Sequence, residues 1–167
     1  MKQVFRLSQN FASTIEDPRV IGVIMECGGK MFMAEKKWSE ALEQFQGSFK
    51  SLVECGSSRA KAILKYVILA SLLSKAEFDV LSTQEARIFS SDPEIMAMTT
   101  LKAGFLENNI NTIQEVLNDK KANLLGDPFI AQYLDELLRS VRLNAVSAIC
   151  KPYKTVKLAF LARKMNV

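Results

Sequence analysis

The sequence predicts an all-α fold, a right-handed stack of paired helices that ends in a segment of different character. Apolar residues recur at helical spacing along most of the 167 residues. The chain has 7 glycines and 4 prolines, which is too few for a turn-rich all-β fold. Hydrophobic residues make up 49% of the chain, so a sizeable core is available. The length fits one domain, or one domain and part of another.

Two helices are expected first, over residues 18–35 and 38–54. Asp17-Pro18 marks the first start, because aspartate is a favoured N-cap and proline fits the first helical turn. Gly56 suits the position that ends the second helix. The pair resembles a tetratricopeptide-like hairpin, which cannot bury its apolar face alone, so neighbouring hairpins are expected. The apolar face of the second helix comprises Trp38, Ala41, Leu42, Phe45, Phe49 and Leu52.

Gly28-Gly29 interrupts the first helix and is followed by Lys30, which invites comparison with a phosphate-binding loop. Such a loop has Ser or Thr after the lysine and follows a strand. Here Met31 replaces the hydroxyl residue and the context is helical. The sequence therefore favours close packing of a neighbouring helix against the glycines, which offsets a loss of about 1 kcal/mol in helix propensity.

Residues 57–75 predict a third long helix that is apolar on nearly every side and therefore buried. A single helical turn is expected at residues 84–87. Asp92-Pro93 and Asp127-Pro128 repeat the helix start seen at residue 17. Later helices are expected over residues 94–107, 112–117 and 131–149. The expected core between the first three long helices includes Trp38, Phe45, Phe49, Tyr66 and Leu69.

The chain changes character after residue 150. Pro152 ends the preceding helix because its ring cannot extend the hydrogen-bond ladder. Val156 and Leu158 would point to one side of a short strand, and Lys157 to the other. A long helix, a Pro-Tyr elbow, a short strand and a further short helix resemble the junction at which the winged helix of a PCI domain begins.

Charge is unevenly distributed along the chain. The net charge is +4, from 22 basic and 18 acidic residues, which permits contact with nucleic acid or acidic proteins without requiring it. No acidic residue follows Glu136. The C-terminal end is therefore a basic pole, which is either a solvated face or a binding surface. Its cations are Arg139, Arg142, Lys151, Lys154, Lys157, Arg163 and Lys164.

The composition argues against catalysis and against cofactor binding. The chain has no histidine, which excludes Ser-His-Asp and Cys-His catalytic groups and histidine-ligated metals. Cys27, Cys55 and Cys150 are widely spaced and are expected to be buried free thiols in a reducing compartment. The N-terminus lacks a signal-peptide pattern, and no apolar run is long enough to span a membrane. We expect no enzyme activity, no cofactor and no metal.

The remaining candidate groups have ordinary structural explanations. Glu94, Glu107 and Glu115 could supply paired carboxylates, but no spacing fixes a pair, and solvated helix faces are the simpler interpretation. The 7 methionines lie on apolar faces, where they fill a core more often than they form an adaptable binding surface.

With these elements placed, the chain resembles the subunit 2 family of the COP9 signalosome over residues 17–167. The proteasome-lid paralogue shares the Leu-Lys-Tyr element, but the Gly-Gly-Lys and Gln-Glu-Ala stretches favour the signalosome family. The matching stretches are Gly22-Val23-Ile24, Glu26-Cys27-Gly28-Gly29-Lys30-Met31, Leu64-Lys65-Tyr66, Gln84-Glu85-Ala86, Asp92-Pro93-Glu94-Ile95, Asp127-Pro128-Phe129-Ile130, Glu136-Leu137-Leu138-Arg139 and Lys151-Pro152-Tyr153.

The resemblance implies a helical-repeat solenoid over residues 1–125 and the beginning of a PCI winged-helix module, incomplete here, over residues 126–167. It implies a non-catalytic scaffold, in the cytoplasm and nucleus, that supports removal of the ubiquitin-like modifier Nedd8 from cullins. Other PCI subunits would be direct partners and cullin–RING ligases indirect ones. Two alternatives stay open, a proteasome-lid scaffold and a nucleic-acid-binding helical or winged-helix domain.

The segment at residues 151–158 is the predicted assembly surface. A strand there would leave backbone N–H and C=O groups on an exposed edge, which suits pairing with an edge of another subunit. A winged helix can also place a helix in the DNA major groove, but the second helix that would follow the short one is not expected here. Protein assembly is therefore the favoured interpretation. The predicted interface residues are Lys151, Tyr153, Lys154, Val156, Lys157 and Leu158.

Overall fold

The computed structural model describes residues 17–74, 76, 80–107, 109–118, 124–151 and 155, and within these residues it contains helices and no strand. The all-α prediction is therefore confirmed for the described part of the chain. Two short 3₁₀ helices, Val80–Ser82 and Leu124–Gly126, accompany the α-helices. The α-helices are α1 (Pro18–Ala34), α2 (Trp38–Glu54), α3 (Ala60–Leu73), α4 (Gln84–Arg87), α5 (Pro93–Leu106), α6 (Ile110–Asn118) and α7 (Pro128–Cys150).

The chain forms two compact units, Met1–Met96 and Ala97–Val167. The first unit contains α1 to α4 and the first turn of α5. The second contains the rest of α5 together with α6 and α7. The domain boundary predicted from the sequence, between residues 125 and 126, marks the end of the helical repeats and not the limit of a compact unit. That boundary stays a prediction.

All three Asp-Pro pairs begin helices, as the sequence predicts. The carboxylates of Asp17 and Asp127 accept hydrogen bonds from the backbone amides two residues later, at 2.9 and 3.0 Å. Asp92 does the same at the start of α5, at 3.0 Å. In each case the proline follows the cap, where the helix requires no N–H donor. The local sequence therefore fixes where α1, α5 and α7 begin.

Helices α1 and α2 end in the same hydrogen-bond pattern, with different residues in the left-handed position. After α2 that position is Gly56, with φ of 64°, and the next amide donates to the carbonyl of Leu52 at 2.9 Å. After α1 it is Lys36, with φ of 59°, and the next amide donates to the carbonyl of Phe32 at 2.9 Å. Both ends are Schellman motifs. The sequence predicts the role of Gly56, whereas nothing in it indicates that of Lys36.

Helices α1 and α2 approach closely because glycines line their contact. A Cβ atom added to Gly29 would lie 2.5 Å from the ring of Phe45, and one added to Gly22 would lie 2.8 Å from Leu52. The hydroxyl of Ser48 also donates to the buried carbonyl of Gly22 at 2.7 Å. The predicted role of Gly29, close helix packing, is confirmed.

The predicted core is largely correct. Phe45 and Leu69 are fully buried, and Phe49 and Tyr66 nearly so. The rings of Phe45 and Tyr66 lie 5.6 Å apart, which joins α2 to α3. Trp38 is an exception, because it is the first residue of α2 and is only partly buried. Helix α3 has 11 of its 14 residues buried, as its apolar composition predicts.

In the second unit, the N-terminal half of α7 directs a regular apolar stripe inward. The rings of Phe129 and Tyr133 pack edge to face with centroids 5.2 Å apart. Gly104 of α5 faces Ile113 of α6, and a Cβ atom added to Gly104 would lie 3.1 Å from the side chain of Ile113. The buried residues of α7 are Ile130, Tyr133, Leu134, Leu137 and Val141.

We expect Gly29→Ala to lower the free energy of unfolding by about 1–2 kcal/mol. The new methyl group clashes with the buried ring of Phe45, and overpacking of this kind outweighs the gain of about 1 kcal/mol in helix propensity. Gly47→Ala is the matched control, since its methyl group would meet only the flexible thioether of Met25. Urea denaturation followed by circular dichroism measures both. Equal effects of the two substitutions would contradict the role assigned to Gly29.

We expect Lys36→Gly to raise the free energy of unfolding by about 0.5–1 kcal/mol, because glycine adopts positive φ without steric cost. Gly56→Ala is the converse experiment and should cost about 1 kcal/mol. A methyl group at position 56 would meet no atom within 4 Å, so the cost would come from the backbone alone. The same denaturation measurement tests both, and a loss of stability in Lys36→Gly would contradict the assignment.

Candidate functional site

The predicted assembly surface begins at Lys151, which caps the C-terminus of α7. Lys151 is exposed, and its amide donates to the carbonyl of Ser147 at 3.1 Å. Thr155 is also exposed. The other predicted interface residues lie outside the described part of the chain, so the strand and its exposed edge stay predictions. These residues are Tyr153, Lys154, Val156, Lys157 and Leu158.

The outer surface of α7 changes along the helix from acidic to basic. Asp135 and Glu136 are exposed in its first half, and Arg139 and Arg142 are exposed after them. Leu143 lies beside the arginines, with 65% of its surface accessible. The first two cations of the predicted basic pole are therefore on the surface.

Burial has a chemical consequence on the inner side of α7. Tyr133 is 6% exposed, and this burial raises the pKa of its phenol, with a smaller contribution in the same direction from the charge of Glu136. The phenol therefore stays neutral across the physiological range. Tyr133 is a buried core residue of the second unit.

One buried carboxylate connects α1 to the start of α3. Glu26 is 4% exposed and accepts hydrogen bonds from Lys30 at 2.7 Å and from Arg59 at 2.6 Å. The ammonium group of Lys30 also lies 5.1 Å from the centre of the Tyr66 ring, within range of a cation–π interaction. The lysine of the Gly-Gly-Lys stretch thus neutralises a buried acid, which explains its presence without a phosphate ligand.

A second ionic cluster joins α3 to the first turn of α5. Glu94 accepts hydrogen bonds from Lys61 at 2.8 Å and Lys65 at 2.7 Å, and Lys61 also contacts Asp92 at 2.8 Å. Lys65 is 8% exposed. The interpretation of Glu94 as part of a solvated helix face is therefore wrong. Its partners are 29 and 33 residues away along the chain, so helical spacing could not indicate them.

The ionic cluster shifts the pKa values of Glu94, Asp92 and Lys61. Hydrogen bonds from Lys61 and then Lys65 lower the pKa of Glu94 below its ordinary value of 4.5. Partial burial acts to raise the pKa of Asp92, but Lys61 and the amides of Glu94 and Ile95 outweigh it, so this pKa lies below 3.8. The carboxylates of Asp92 and Glu94 in turn raise the pKa of Lys61 above 10.5. All three groups are held in their charged forms.

A cavity of about 430 Å³ opens between α2, α3 and the residues that follow them. Its apolar wall includes Phe49, Leu64 and Val80, and its polar rim includes Glu43 and Lys50. The cavity has the chemistry of a recess for an apolar side chain and lacks a catalytic constellation.

Metal-binding groups and buried thiols are also absent from the parts of the chain that the structure describes. No cluster of three or more His, Cys, Asp or Glu residues could hold a metal there. The three cysteines are free, as expected, but Cys27 is exposed and Cys55 and Cys150 are half-buried. The prediction of buried thiols is therefore wrong, most clearly for Cys27, which lies on the outer side of α1. Among the described helices, none has the length and apolarity needed to cross a membrane.

Comparison with known proteins agrees with the resemblance drawn from the sequence. A PCI domain matches residues 106–167. COP9 signalosome complex subunit 2 from Dictyostelium discoideum is 35% identical over the whole chain, which covers 37% of that protein. The Schizosaccharomyces pombe subunit is 39% identical over the whole chain, which covers 38% of it. The chain is thus similar over its whole length to COP9 signalosome subunit 2.

The similarity to subunit 2 extends along all 167 residues, although the chain spans little more than a third of the length of these relatives. A probable 26S proteasome regulatory subunit from Caenorhabditis briggsae is 22% identical over 160 residues, 93% of the chain and 39% of that protein. The preference for the signalosome family over its proteasome paralogue is therefore confirmed.

The pKa shifts predict how pH affects the first unit. A carboxylate whose pKa is lowered on folding stabilises the fold above its unfolded pKa, and the stabilisation is lost as pH falls through the folded value. We expect Glu94→Gln to cost about 0.5–1 kcal/mol at pH 7 and to flatten the loss of stability below about pH 4.5. Glu43→Gln, at an exposed position on α2, is the control.

The measurement is the denaturation midpoint at several pH values between 7 and 3. Parallel curves for Glu94→Gln and the unaltered protein would show that the ionic cluster contributes nothing on the acid side. On the alkaline side, the raised pKa of Lys61 predicts that its contribution is complete below 10.5 and declines as pH rises beyond it.

Proposed function

We propose that this chain acts as a non-catalytic scaffold within a COP9-signalosome-type complex and supports cullin deneddylation through assembly by its PCI region. The observation that carries the proposal is the 33–39% identity to signalosome subunit 2 proteins from six organisms, over 93–100% of the chain. The PCI match over residues 106–167 supports the same conclusion. The cytoplasm and the nucleus are the proposed locations.

The structure of the first unit suits such a role. The contact of Phe45 with Gly29 and the ion pairs of Glu26 join its three long helices, and the ion pairs of Glu94 join α3 to the first turn of α5. The charged groups in these ion pairs hold helices together, and this structural role does not require them to take part in catalysis. A rigid helical body of this kind can hold an interaction surface at a fixed place, which is what a scaffold requires.

The proposed assembly surface is the segment at residues 151–158. It follows α7, whose described end is the exposed Lys151. A strand edge there would bind a partner through backbone hydrogen bonds, with side chains adding specificity. The proposal thus assigns catalysis to other subunits and assembly to this chain.

Co-expression with the other signalosome subunits tests the proposal directly. Affinity purification of the chain followed by mass spectrometry should recover PCI-containing subunits in defined proportion. Recovery of proteasome-lid subunits would favour the paralogous complex. Sub-micromolar binding to random duplex DNA that weakens steeply with salt would favour a nucleic-acid-binding domain. That result, together with a failure to recover any signalosome subunit, would contradict the proposal.

We expect Val156→Pro to weaken association with partner subunits by about tenfold, because proline removes a backbone donor from the predicted strand edge. Val156→Thr is the control, since threonine is also β-branched and keeps its N–H. Helical content should be unchanged in both variants. Equal co-purification of the two would contradict pairing through this strand and would move the interface onto the helical surfaces.

A further inference from the structure

Four cations at the helix contacts of the first unit differ in their ion pairing from three cations on α7. In the first unit, Lys30, Arg59, Lys61 and Lys65 all form ion pairs with carboxylates at 2.6–2.8 Å. On α7, by contrast, no carboxylate in the described residues pairs with Arg139 or with the two cations after it. These unpaired cations are Arg139, Arg142 and Lys151.

Acidic residues do lie at a suitable helical spacing from Arg139, so spacing alone does not explain why it forms no ion pair with them. Asp135 and Glu136 precede Arg139 by four and three residues, the spacings at which helical ion pairs form, yet neither pairs with it in the described structure. No acidic side chain occurs from residue 137 to residue 167, so no side chain of that stretch can neutralise these charges. Among the described residues, this positive charge is therefore open to another molecule.

The helix dipole does not account for the arginines. A cation is favoured within the last turn of a helix, and that effect explains Lys151. Arg142 and Arg139 lie 8 and 11 residues before the end of α7 at Cys150, beyond the reach of the terminal partial charge. Their positions need a different explanation.

An apolar surface accompanies the charges. Leu143 is 65% exposed, and Val146 and Cys150 are half-exposed. Together with Arg139 and Arg142 they follow the spacing i, i+3, i+4, i+7 and i+11, which places them on one face of the helix. We call these five residues the basic face of α7, and Lys151 follows it at the C-terminus of the helix. At 1.5 Å per residue, the basic face extends about 16 Å from Arg139 to Cys150.

We propose that the basic face of α7 binds an acidic, amphipathic segment of a partner protein. Carboxylates of that segment would meet Arg139, Arg142 and Lys151, and its apolar side chains would cover Leu143 and Val146. Exposed Leu143 beside the arginines favours a protein over nucleic acid, because a phosphate group offers no apolar surface to cover it. Asp135 and Glu136 would repel the acidic segment from the first half of the helix and so fix its position.

This inference goes beyond the proposed scaffold function and uses a surface that does not include the predicted strand. Its test therefore does not require signalosome subunits. The probe is a fluorescently labelled 20-residue peptide with leucine on one helical face and glutamate elsewhere, and its binding to the full chain is measured by fluorescence anisotropy. A scrambled peptide of identical composition and a 20-base-pair random duplex serve as comparison ligands.

We expect the amphipathic peptide to bind more tightly than its scrambled form and to weaken as salt is raised. Arg139→Glu with Arg142→Glu should reduce its affinity about tenfold or more, and Leu143→Ser about threefold or more. Lys50→Glu with Arg87→Glu is the matched control. It makes the same change in net charge at two exposed positions of the first unit, and it should change affinity less than about twofold.

Three results would overturn the proposal. These are equal binding of the scrambled peptide, unchanged affinity in Leu143→Ser, and tighter binding of the duplex that depends on the arginines but not on Leu143. Circular dichroism checks that each variant is folded. Should the double charge reversal unfold the protein, Arg139→Gln with Arg142→Gln removes the charges more gently and is expected to weaken binding in the same direction.

Discussion

Phe45 occupies the space that Gly29 leaves open, and the arrangement of the first three helices depends on that contact. Because α1 and α2 can approach closely there, the Phe45 ring reaches Tyr66 on α3. Tyr66 in turn lies under Lys30, which pairs with the buried Glu26, and Glu26 holds Arg59. A single missing side chain thus permits a continuous series of aromatic and ionic contacts across the three helices.

The distribution of charge divides the chain by role. In the first unit, Arg59, Lys61 and Lys65 pair with carboxylates of other helices, and Glu94 is shared by two lysines. On α7, positive charge and an exposed leucine remain open to solvent. The first arrangement stabilises a fold and the second offers a surface, and the similarity to signalosome subunit 2 gives such a surface a context in multi-subunit assembly.

Features set by neighbouring residues were predictable from the sequence, and features set by distant residues were not. The Asp-Pro starts, the turn at Gly56 and the buried character of α3 follow from local chemistry. The pairing of Glu94 with Lys61 and Lys65 depends on how helices meet, which periodicity does not encode. The exposure of Cys27 has the same origin. Of the six predicted interface residues, Lys151 alone lies within the described part, where it is exposed.

The near-complete burial of α3 has a consequence for how the first unit moves. A helix with 11 of 14 residues buried has no free side along which it can detach while its neighbours remain in place. Its backbone amides should therefore exchange with solvent deuterium only through opening of the whole unit, whereas the ends of α1 and α4 can exchange by local fraying. The first unit should accordingly lose its structure in one cooperative step, and α3 should become accessible to solvent only in that step.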